Sequence, residues 1–289
     1  MTALFTVPIP STGGTIICTN PPPTPSSTST ISAKSKPKPK LDTSKIYILT
    51  FTSPPDNRLT PAFISAFLLA LDILEHRFPK GVVVTTSGIA KFYSNGLDLQ
   101  VVNETEGFLD RWLWKVFRRL VTYPMPTISL LNGHAFAGGL MLSMYHDYRI
   151  MNPSKGFVCL NELDFGVPLQ SPMMAIFRAK LTPTTFRDLV LEAKRVPGPE
   201  ALKCGIVDGL GGIGEVVEFI GERGLEGKAG SGIYGLMKEE MYRGVIGVLD
   251  DHEGNLAWRD GVEGKKGGLK REGLRDVEEW ERREKKAKL

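Results

Sequence analysis

The chain has 289 residues, 42% of them hydrophobic, and a formal net charge of +4. This size allows one large core, or one core with a small helical appendage. No apolar run is long enough to cross a bilayer. The net charge is too small to indicate nucleic-acid binding by itself. The three cysteines have no CxxC spacing, which predicts unpaired thiols and no zinc site.

Residues 1–44 differ in composition from the rest of the chain. They are rich in Pro, Ser and Thr, carry a Lys-Pro alternation from Lys36 to Lys40, and contain no acid before Asp42. Such a segment buries too little apolar surface to offset the entropy of ordering it, so we predict a disordered tail over 1–44. A transit peptide is the alternative, but the segment has no arginine and no amphipathic periodicity.

From Ile46 onward, strand and helix patterns alternate. The predicted strands are 46–51, 82–85, 127–131, 148–151 and 157–160. The predicted helices are 60–76, where Thr60 and Pro61 form a start signal, 112–123, 138–144, 172–181 and 183–194. This alternation predicts an α/β fold with a mostly parallel sheet, whose functional loops follow the carboxyl ends of strands.

Beyond Gly212 the sequence becomes more polar and helical. The glycine- and charge-rich stretches 224–232 and 260–268 are typical of loops or linkers, and 271–288 is a candidate charged helix. The predicted organisation is therefore a tail over 1–44, a catalytic core over 45–212 and a helical C-terminal assembly region over 213–289.

Two motifs together carry the functional signal. A glycine-rich turn from Asn132 to Gly139 lies between a predicted strand and a predicted helix, where main-chain N–H groups are free to bind an anion. Further along, Glu162 stands among apolar neighbours, where desolvation raises the pKa of a carboxyl group. The combination suits chemistry on an activated carbonyl, because amides can stabilise an oxyanion while one acid moves a proton. A second glycine-containing segment, 92–98, follows the predicted strand 82–85, and either glycine segment alone would indicate an ordinary turn.

At these motifs the sequence resembles the crotonase superfamily of acyl-CoA enzymes, and within it the monofunctional enoyl-CoA delta-isomerases of peroxisomes. The resemblance implies a ClpP/crotonase fold, a spiral of ββα units with a helical C-terminal region. It also implies an oxyanion hole made by the main-chain amides of Gly138 and Asn95, a position that the family more often fills with a small residue. The other implied substrate contacts are Gly96, Leu97, Asp98 and Arg58, the last as a candidate ligand of a CoA phosphate.

The same resemblance implies that Glu162 is the catalytic base and faces the acyl α-carbon. Hydratases of the family carry a second glutamate three residues after the oxyanion glycine, but the chain has Met141 there. Dienoyl-CoA isomerases carry an aspartate eight residues after the base, where the chain has Gln170. Asp164 is a rival acid that would share a face with Glu162 in an extended strand, and we interpret it as structural.

One base and one oxyanion hole predict a proton shift that converts 3-enoyl-CoA to trans-2-enoyl-CoA in fatty-acid β-oxidation, with the CoA ester as substrate and no cofactor or metal. A homotrimer or hexamer is implied by the family. Two alternatives stay open: another crotonase-type reaction, such as hydration, thioester hydrolysis or a step in secondary metabolism, and a non-catalytic binding or RNA-associated relative.

The last three residues, Ala287, Lys288 and Leu289, form a variant of the Ser-Lys-Leu peroxisomal address, and basic residues precede them. A tripeptide is a weak signal by itself. At the end of a β-oxidation-like sequence it predicts binding to the peroxisomal import receptor and a peroxisomal location.

Overall fold

Strand β3 (Ile46–Thr52) shows how the sequence layers this fold, which was obtained as a computed structural model describing residues 2–10, 12–22 and 41–287. Successive side chains of a strand point to opposite faces of its sheet. Accordingly, Tyr47 and Leu49 pack into the main core, whereas Ile46 and Ile48 pack into a second core on the other face. The sheet is therefore covered on both sides, as parallel sheets are.

The strands form two sheets. They are β1 (Phe5–Ile9), β2 (Gly14–Thr19), β3, β4 (Val82–Ser87), β5 (Phe92–Ser94), β6 (Thr127–Leu131), β7 (His134–Phe136), β8 (Tyr148–Met151), β9 (Phe157–Cys159), β10 (Val196–Pro197) and β11 (Gly209–Leu210). The larger sheet has the order β1-β2-β3-β4-β6-β8-β11, and all neighbours from β3 onward are parallel. The smaller sheet has the order β10-β9-β7-β5, with β5, β7 and β9 parallel. The predicted parallel α/β architecture is confirmed.

The described residues also form twelve α-helices. They are α1 (Pro61–Arg77), α2 (Leu99–Glu104), α3 (Trp114–Val121), α4 (Gly138–Met144), α5 (Ser171–Lys180), α6 (Pro183–Leu191), α7 (Gly198–Lys203), α8 (Ile213–Arg223), α9 (Leu225–Ala229), α10 (Tyr234–Met241), α11 (Arg243–Asp250) and α12 (His252–Ala287). A π-helical turn, Leu109–Leu113, leads into α3. Within the described ranges, no helix is both long and apolar enough to span a membrane.

The N-terminal residues correct the prediction of a disordered tail over 1–44. Strands β1 and β2 pair with each other and β2 pairs with β3, all antiparallel, so they extend the larger sheet. Val7, Ile9, Ile16 and Cys18 are buried in the main core. These residues alternate with more exposed ones, so each strand buries one apolar face against the core. This burial favours the pairing of both strands with the sheet. The Lys-Pro alternation of residues 36–40 lies outside the described residues.

The chain divides into two compact units, 1–249 and 250–289, so the predicted boundary at 212 does not coincide with the observed one. Helix α8 explains the difference, because its Val216 and Ile220 are fully buried in the second core beside Ile46 and Val84. Residues 213–223 therefore belong to the first compact unit.

The second unit, described by itself, contains the 36-residue helix α12, none of whose residues is buried. The prediction of a loop over 260–268 is wrong, because these residues lie inside α12. Of the three residues in the predicted peroxisomal address, only Ala287 is described; Lys288 and Leu289 lie outside the described residues.

Candidate active site

A cavity of about 580 Å³ lies where the loops after β3, β5, β7 and β9 meet. All four loops follow the carboxyl ends of strands, which is where the sequence predicted them. The lining combines eight apolar residues with seven polar or charged ones. It consists of Pro55, Asp56, Arg58, Asn95, Leu97, Asp98, Leu99, Gln100, Ala137, Asn161, Glu162, Phe165, Val167, Pro168 and Met173.

Glu162 enters this cavity from a tight turn after β9. The turn is closed by the Val167 amide, which donates to the Glu162 carbonyl at 3.0 Å. The Oε2 atom of Glu162 is buried without a hydrogen-bond partner in the described part of the chain. Burial raises the pKa of this carboxyl group to about 7, against a smaller lowering by its own main-chain amide. Glu162 can therefore take up and return a proton near neutral pH.

The surroundings of Glu162 differ from the buried strand end that the apolar sequence predicted. Leu163 and Phe165 are 56% and 67% exposed, because the chain turns instead of extending. Asp164 is also exposed, so it does not share a face with Glu162 as an extended register would require. Its charge is not among the causes of the raised pKa of Glu162.

Two further carboxylates line the cavity, and both are engaged by the protein. Asp98 caps helix α2, where its Oδ1 accepts from the amides of Gln100 and Val101. Asp56 Oδ2 accepts from the Asn95 side chain at 2.6 Å and from Arg58 Nε at 3.1 Å. Among the described residues that line the cavity, Glu162 is thus the carboxylate without such a structural role.

The N-terminus of α4 offers a main-chain donor beside Ala137, which lines the cavity. Ala137 precedes the helix with φ +51° and ψ −124°, a conformation that L-residues rarely adopt. The amide of Gly138, the first residue of α4, has no hydrogen-bond acceptor within the described ranges. A free amide at a helix N-terminus is suited to binding a negative oxygen.

The structure contradicts the assignment of the second oxyanion donor to Asn95. The Asn95 amide donates to the Asp56 carbonyl at 3.0 Å, and the Gly96 amide donates to Ser94 Oγ at 3.1 Å. The Leu97 amide has no acceptor among the described residues, and its nitrogen would lie 3.4 Å from a β-carbon built on Gly138. Leu97 therefore replaces Asn95 as the candidate donor.

Gly96 is the residue that allows these two loops to meet. It has φ +78°, in the left-handed region that favours glycine. A β-carbon at this position would lie 2.8 Å from the Gly138 nitrogen and 2.8 Å from the Phe136 carbonyl oxygen. The sequence marked Gly96 as a substrate contact; the structure gives it a role in bringing the main chains of both loops together.

Arg58 lines the cavity, but its guanidinium also holds protein groups. Nη1 donates to the carbonyls of Asn95 at 3.0 Å and Leu97 at 2.7 Å, while Nε donates to Asp56. Contact with a CoA phosphate stays a prediction. Asp56 and Asn161 were missed by sequence analysis; each has a buried side-chain oxygen, Oδ1, without a hydrogen-bond partner in the described chain. No spacing pattern in the sequence would have singled them out.

Positions 141 and 170, where the sequence analysis looked for a second acid, carry side chains without carboxyl groups. Met141 is 1% exposed in the main core, and Gln170 precedes helix α5 as its N-cap. Neither residue lines the cavity. Across the described ranges, no group of three or more His, Cys, Asp and Glu side chains is arranged to hold a metal ion.

Comparison with known proteins identifies the family of this chain. The profile of the enoyl-CoA hydratase/isomerase family matches residues 42–219. The chain is 32% identical over 225 residues to enoyl-CoA delta isomerase 3 of Arabidopsis thaliana, covering 73% of this chain and 94% of that protein. It is also 32% identical over 212 residues to the Arabidopsis enoyl-CoA delta isomerase 1, peroxisomal, covering 70% of this chain and 88% of that protein.

Solved structures share the fold at lower identity. A probable enoyl-CoA hydratase of Mycobacterium tuberculosis superposes with a TM-score of 0.65 at 23% identity, covering 76% of this chain and 94% of that one. The human mitochondrial delta3-delta2-enoyl-CoA isomerase superposes with a TM-score of 0.59 at 22% identity, covering 78% and 95%. The predicted crotonase fold is confirmed by these neighbours.

Proposed function

Since this chain belongs to the enoyl-CoA hydratase/isomerase family and is one of its enzymes, we propose that it converts 3-enoyl-CoA esters to trans-2-enoyl-CoA. The observation that supports this reaction is the buried, unpaired carboxyl oxygen of Glu162 in a cavity that is also lined by Leu97, whose amide has no acceptor among the described residues. One base and two amides are sufficient for moving a proton along an acyl chain.

In the proposed mechanism, the thioester oxygen accepts hydrogen bonds from the amides of Leu97 and Gly138. Glu162 removes a proton from C2, and the resulting dienolate places its negative charge on that oxygen. The protonated Glu162 then returns the proton at C4, which leaves the double bond between C2 and C3. A thioester α-proton is weakly acidic, so the amides must supply much of the stabilisation by binding the enolate more tightly than the ester.

Hydration is the nearest alternative, and the carboxylates of the cavity argue against it. Adding water across a double bond in this family uses two glutamates, one at the position of Met141. Asp98 lines the cavity but caps a helix end, and Asp56 lines it with Oδ2 bonded to Arg58 and Asn95. The free oxygen of Asp56, Oδ1, belongs to this ion-paired carboxylate, and neither aspartate stands at the position of Met141.

The test is product analysis with separate 3-enoyl-CoA and 2-enoyl-CoA substrates over a range of chain lengths. We expect each 3-enoyl-CoA to give a product of unchanged mass with a conjugated double bond. A product heavier by one water would indicate hydration, and free CoA thiol would indicate thioester hydrolysis. Either of these in place of isomerisation would refute the proposal.

We further propose a peroxisomal location in fatty-acid β-oxidation, based on the tripeptide Ala287-Lys288-Leu289. Two relatives, the Arabidopsis enoyl-CoA delta isomerases 1 and 2, are named peroxisomal. A fluorescent protein fused in front of the chain should enter peroxisomes, and removing the tripeptide should leave it outside. Assembly as a trimer or hexamer stays a prediction, which light scattering would test.

A further inference from the structure

The segment 56–59, just before helix α1, is bonded along its length to the loop 94–97. Both segments follow strands, β3 and β5, that belong to different sheets. Three hydrogen bonds involving their main chains are Asn95 N to Asp56 O at 3.0 Å, Ser94 Oγ to Asn57 O at 2.7 Å, and Leu59 N to Gly96 O at 2.9 Å. The direction of each peptide group in the loop is therefore set by the segment before α1.

The bond between Leu59 and Gly96 determines where the Leu97 amide points. In a trans peptide group, the C=O and the N–H of the next residue point in opposite directions. The Gly96 carbonyl is held on the Leu59 amide, so the Leu97 N–H of the same peptide group points away from segment 56–59. That N–H is the one left without an acceptor in the described part of the chain.

Arg58 fixes the peptide groups on both sides of this one. Its Nη1 donates to the Asn95 carbonyl at 3.0 Å and to the Leu97 carbonyl at 2.7 Å. These carbonyls belong to the peptide groups immediately before and after the group that carries the Leu97 N–H. Rotating the central peptide group would require these neighbours to turn as well, so the guanidinium restrains it from both directions.

Asp56 in turn holds Arg58 and Asn95 together. Its Oδ2 accepts from Arg58 Nε at 3.1 Å and from Asn95 Nδ2 at 2.6 Å. The side chain of Asp56 is only 12% exposed, and that of Arg58 is 36% exposed. A buried carboxylate needs a compensating charge, so the pair is more restrained than an ordinary surface ion pair.

We propose that Arg58, held by Asp56, is a positioning residue that keeps the Leu97 N–H directed at the substrate's thioester oxygen. This inference rests on the proposed function in that Leu97 is taken as one of the two oxyanion donors. Arg58 itself donates to protein carbonyls and acts on the substrate through Leu97. The role differs from a phosphate contact, which would affect the binding of CoA esters but leave the hydrogen bonding of the thioester oxygen unchanged.

The experiment compares Arg58→Ala, Arg58→Lys and Arg119→Ala in the full-length protein. Arg119, which bonds Asp72 and Glu75, is a matched control because it also pairs with acids but does not line the cavity. Kinetics with a 3-enoyl-CoA separate kcat from KM. Infrared difference spectra of bound butanoyl-CoA, labelled with ¹³C at the thioester carbonyl, report how strongly that oxygen is hydrogen-bonded.

For Arg58→Ala we expect kcat to fall about 10- to 100-fold, less than the roughly 100- to 1,000-fold typical of deleting an oxyanion donor. KM should stay within about 3-fold, because the stabilisation is lost mainly in the transition state. The carbonyl stretch should move to higher frequency, as for a less polarised bond. Arg58→Lys should be intermediate, since an ammonium lacks the planar fork, and Arg119→Ala should match the wild type.

A rise in KM with unchanged kcat and an unchanged carbonyl stretch would overturn the proposal and favour a phosphate contact. A fall in kcat without a change in the stretch would overturn it as well, because Arg58 would then act elsewhere. The infrared measurement needs only a bound acyl-CoA. It therefore tests the positioning role even if the wild type fails to isomerise 3-enoyl-CoA, which would refute the proposed function separately.

Discussion

Gly96 and Gly138 come from different loops, yet a β-carbon on Gly96 would lie 2.8 Å from the Gly138 nitrogen. This approach is closer than real β-carbon contacts allow. It brings the main chain before Leu97 against the start of helix α4, where the second free amide lies. The two candidate oxyanion donors are therefore neighbours because position 96 has no side chain.

Gly96→Ala should abolish most of the activity, because the new methyl group pushes the loops apart and the residue must keep φ +78°. Misplacing one donor should lower kcat by about 100-fold or more. Steady-state kinetics with a 3-enoyl-CoA would measure this. Gly214→Ala on α8 is the control: a β-carbon there meets open space, and alanine should stabilise the helix by up to about 1 kcal/mol. Full activity of Gly96→Ala would show that the loop contact is not needed.

Glu162→Gln should keep acyl-CoA binding but lose isomerisation, since the amide has a similar shape and cannot act as a base. We expect kcat to fall by about 100- to 10,000-fold, the range typical of general acid–base catalysis. Asp164→Asn is the matched control, because it removes a carboxylate two residues away that is exposed to solvent. If Glu162→Gln turned over substrate like the wild type, another group would have to be the base.

The pH dependence of kcat/KM should follow the ionisation of Glu162, whose pKa burial raises to about 7. The base must be ionised, so activity should fall about tenfold per pH unit below that pKa. A pH series on the free enzyme would measure the midpoint. A midpoint near the ordinary glutamate value of 4.5 would mean that the carboxyl group is fully hydrated in solution.

The raised pKa of Glu162 also predicts how stability depends on pH, with the opposite sign to activity: activity rises with pH, whereas this contribution to stability falls. A carboxyl group whose pKa is higher in the folded state favours folding when it is protonated, so this contribution is present below pH 4.5 and is lost as the pH rises through 7. Glu162→Gln has no charge to bury and should exceed the wild type in free energy of unfolding by about 1–3 kcal/mol at pH 8. Denaturant unfolding at pH 4.5 and 8 would measure the difference, which should shrink at the lower pH.

Ala137→Gly should stabilise the protein, because Ala137 has φ +51° and ψ −124°, values that suit glycine. We expect the free energy of unfolding to rise by about 1–2 kcal/mol while activity is retained, since the Gly138 amide stays in place. Ala70→Gly, in the middle of α1, should instead destabilise by about 1–2 kcal/mol, because it weakens the helix and also removes a buried methyl group. Equal destabilisation by both variants in denaturant unfolding would show that position 137 is unstrained.

Sequence reasoning succeeded where the signal is local. Thr60 and Pro61 predicted the start of α1, and in the structure Thr60 caps the helix by accepting from the Phe63 amide. A raised pKa was predicted for Glu162 from its apolar neighbours, and burial does raise this pKa, although the neighbours themselves turned out to be exposed.

Sequence reasoning failed where the local structure depends on residues that are distant in the chain. Strands β5 and β7 have three residues each and are strands only because β5 pairs with β7 and β7 pairs with β9. The choice between the amides of Asn95 and Leu97 is decided by the Asp56 carbonyl, far earlier in the chain. No spacing within the Asn-Gly-Leu stretch encodes that bond. Composition was misleading at the N-terminus, where prolines and threonines masked the inward alternation of Val7 and Ile9.

The N-terminal hairpin also determines what the larger sheet presents at its two edges. The order of strands leaves β1 at one end and β11 at the other. Strand β1 contains Pro8, which removes a main-chain donor, and β11 has only two residues. Among the described strands, neither end of the larger sheet is a long, regular template onto which a strand of another molecule could add, which disfavours edge-to-edge aggregation at this sheet.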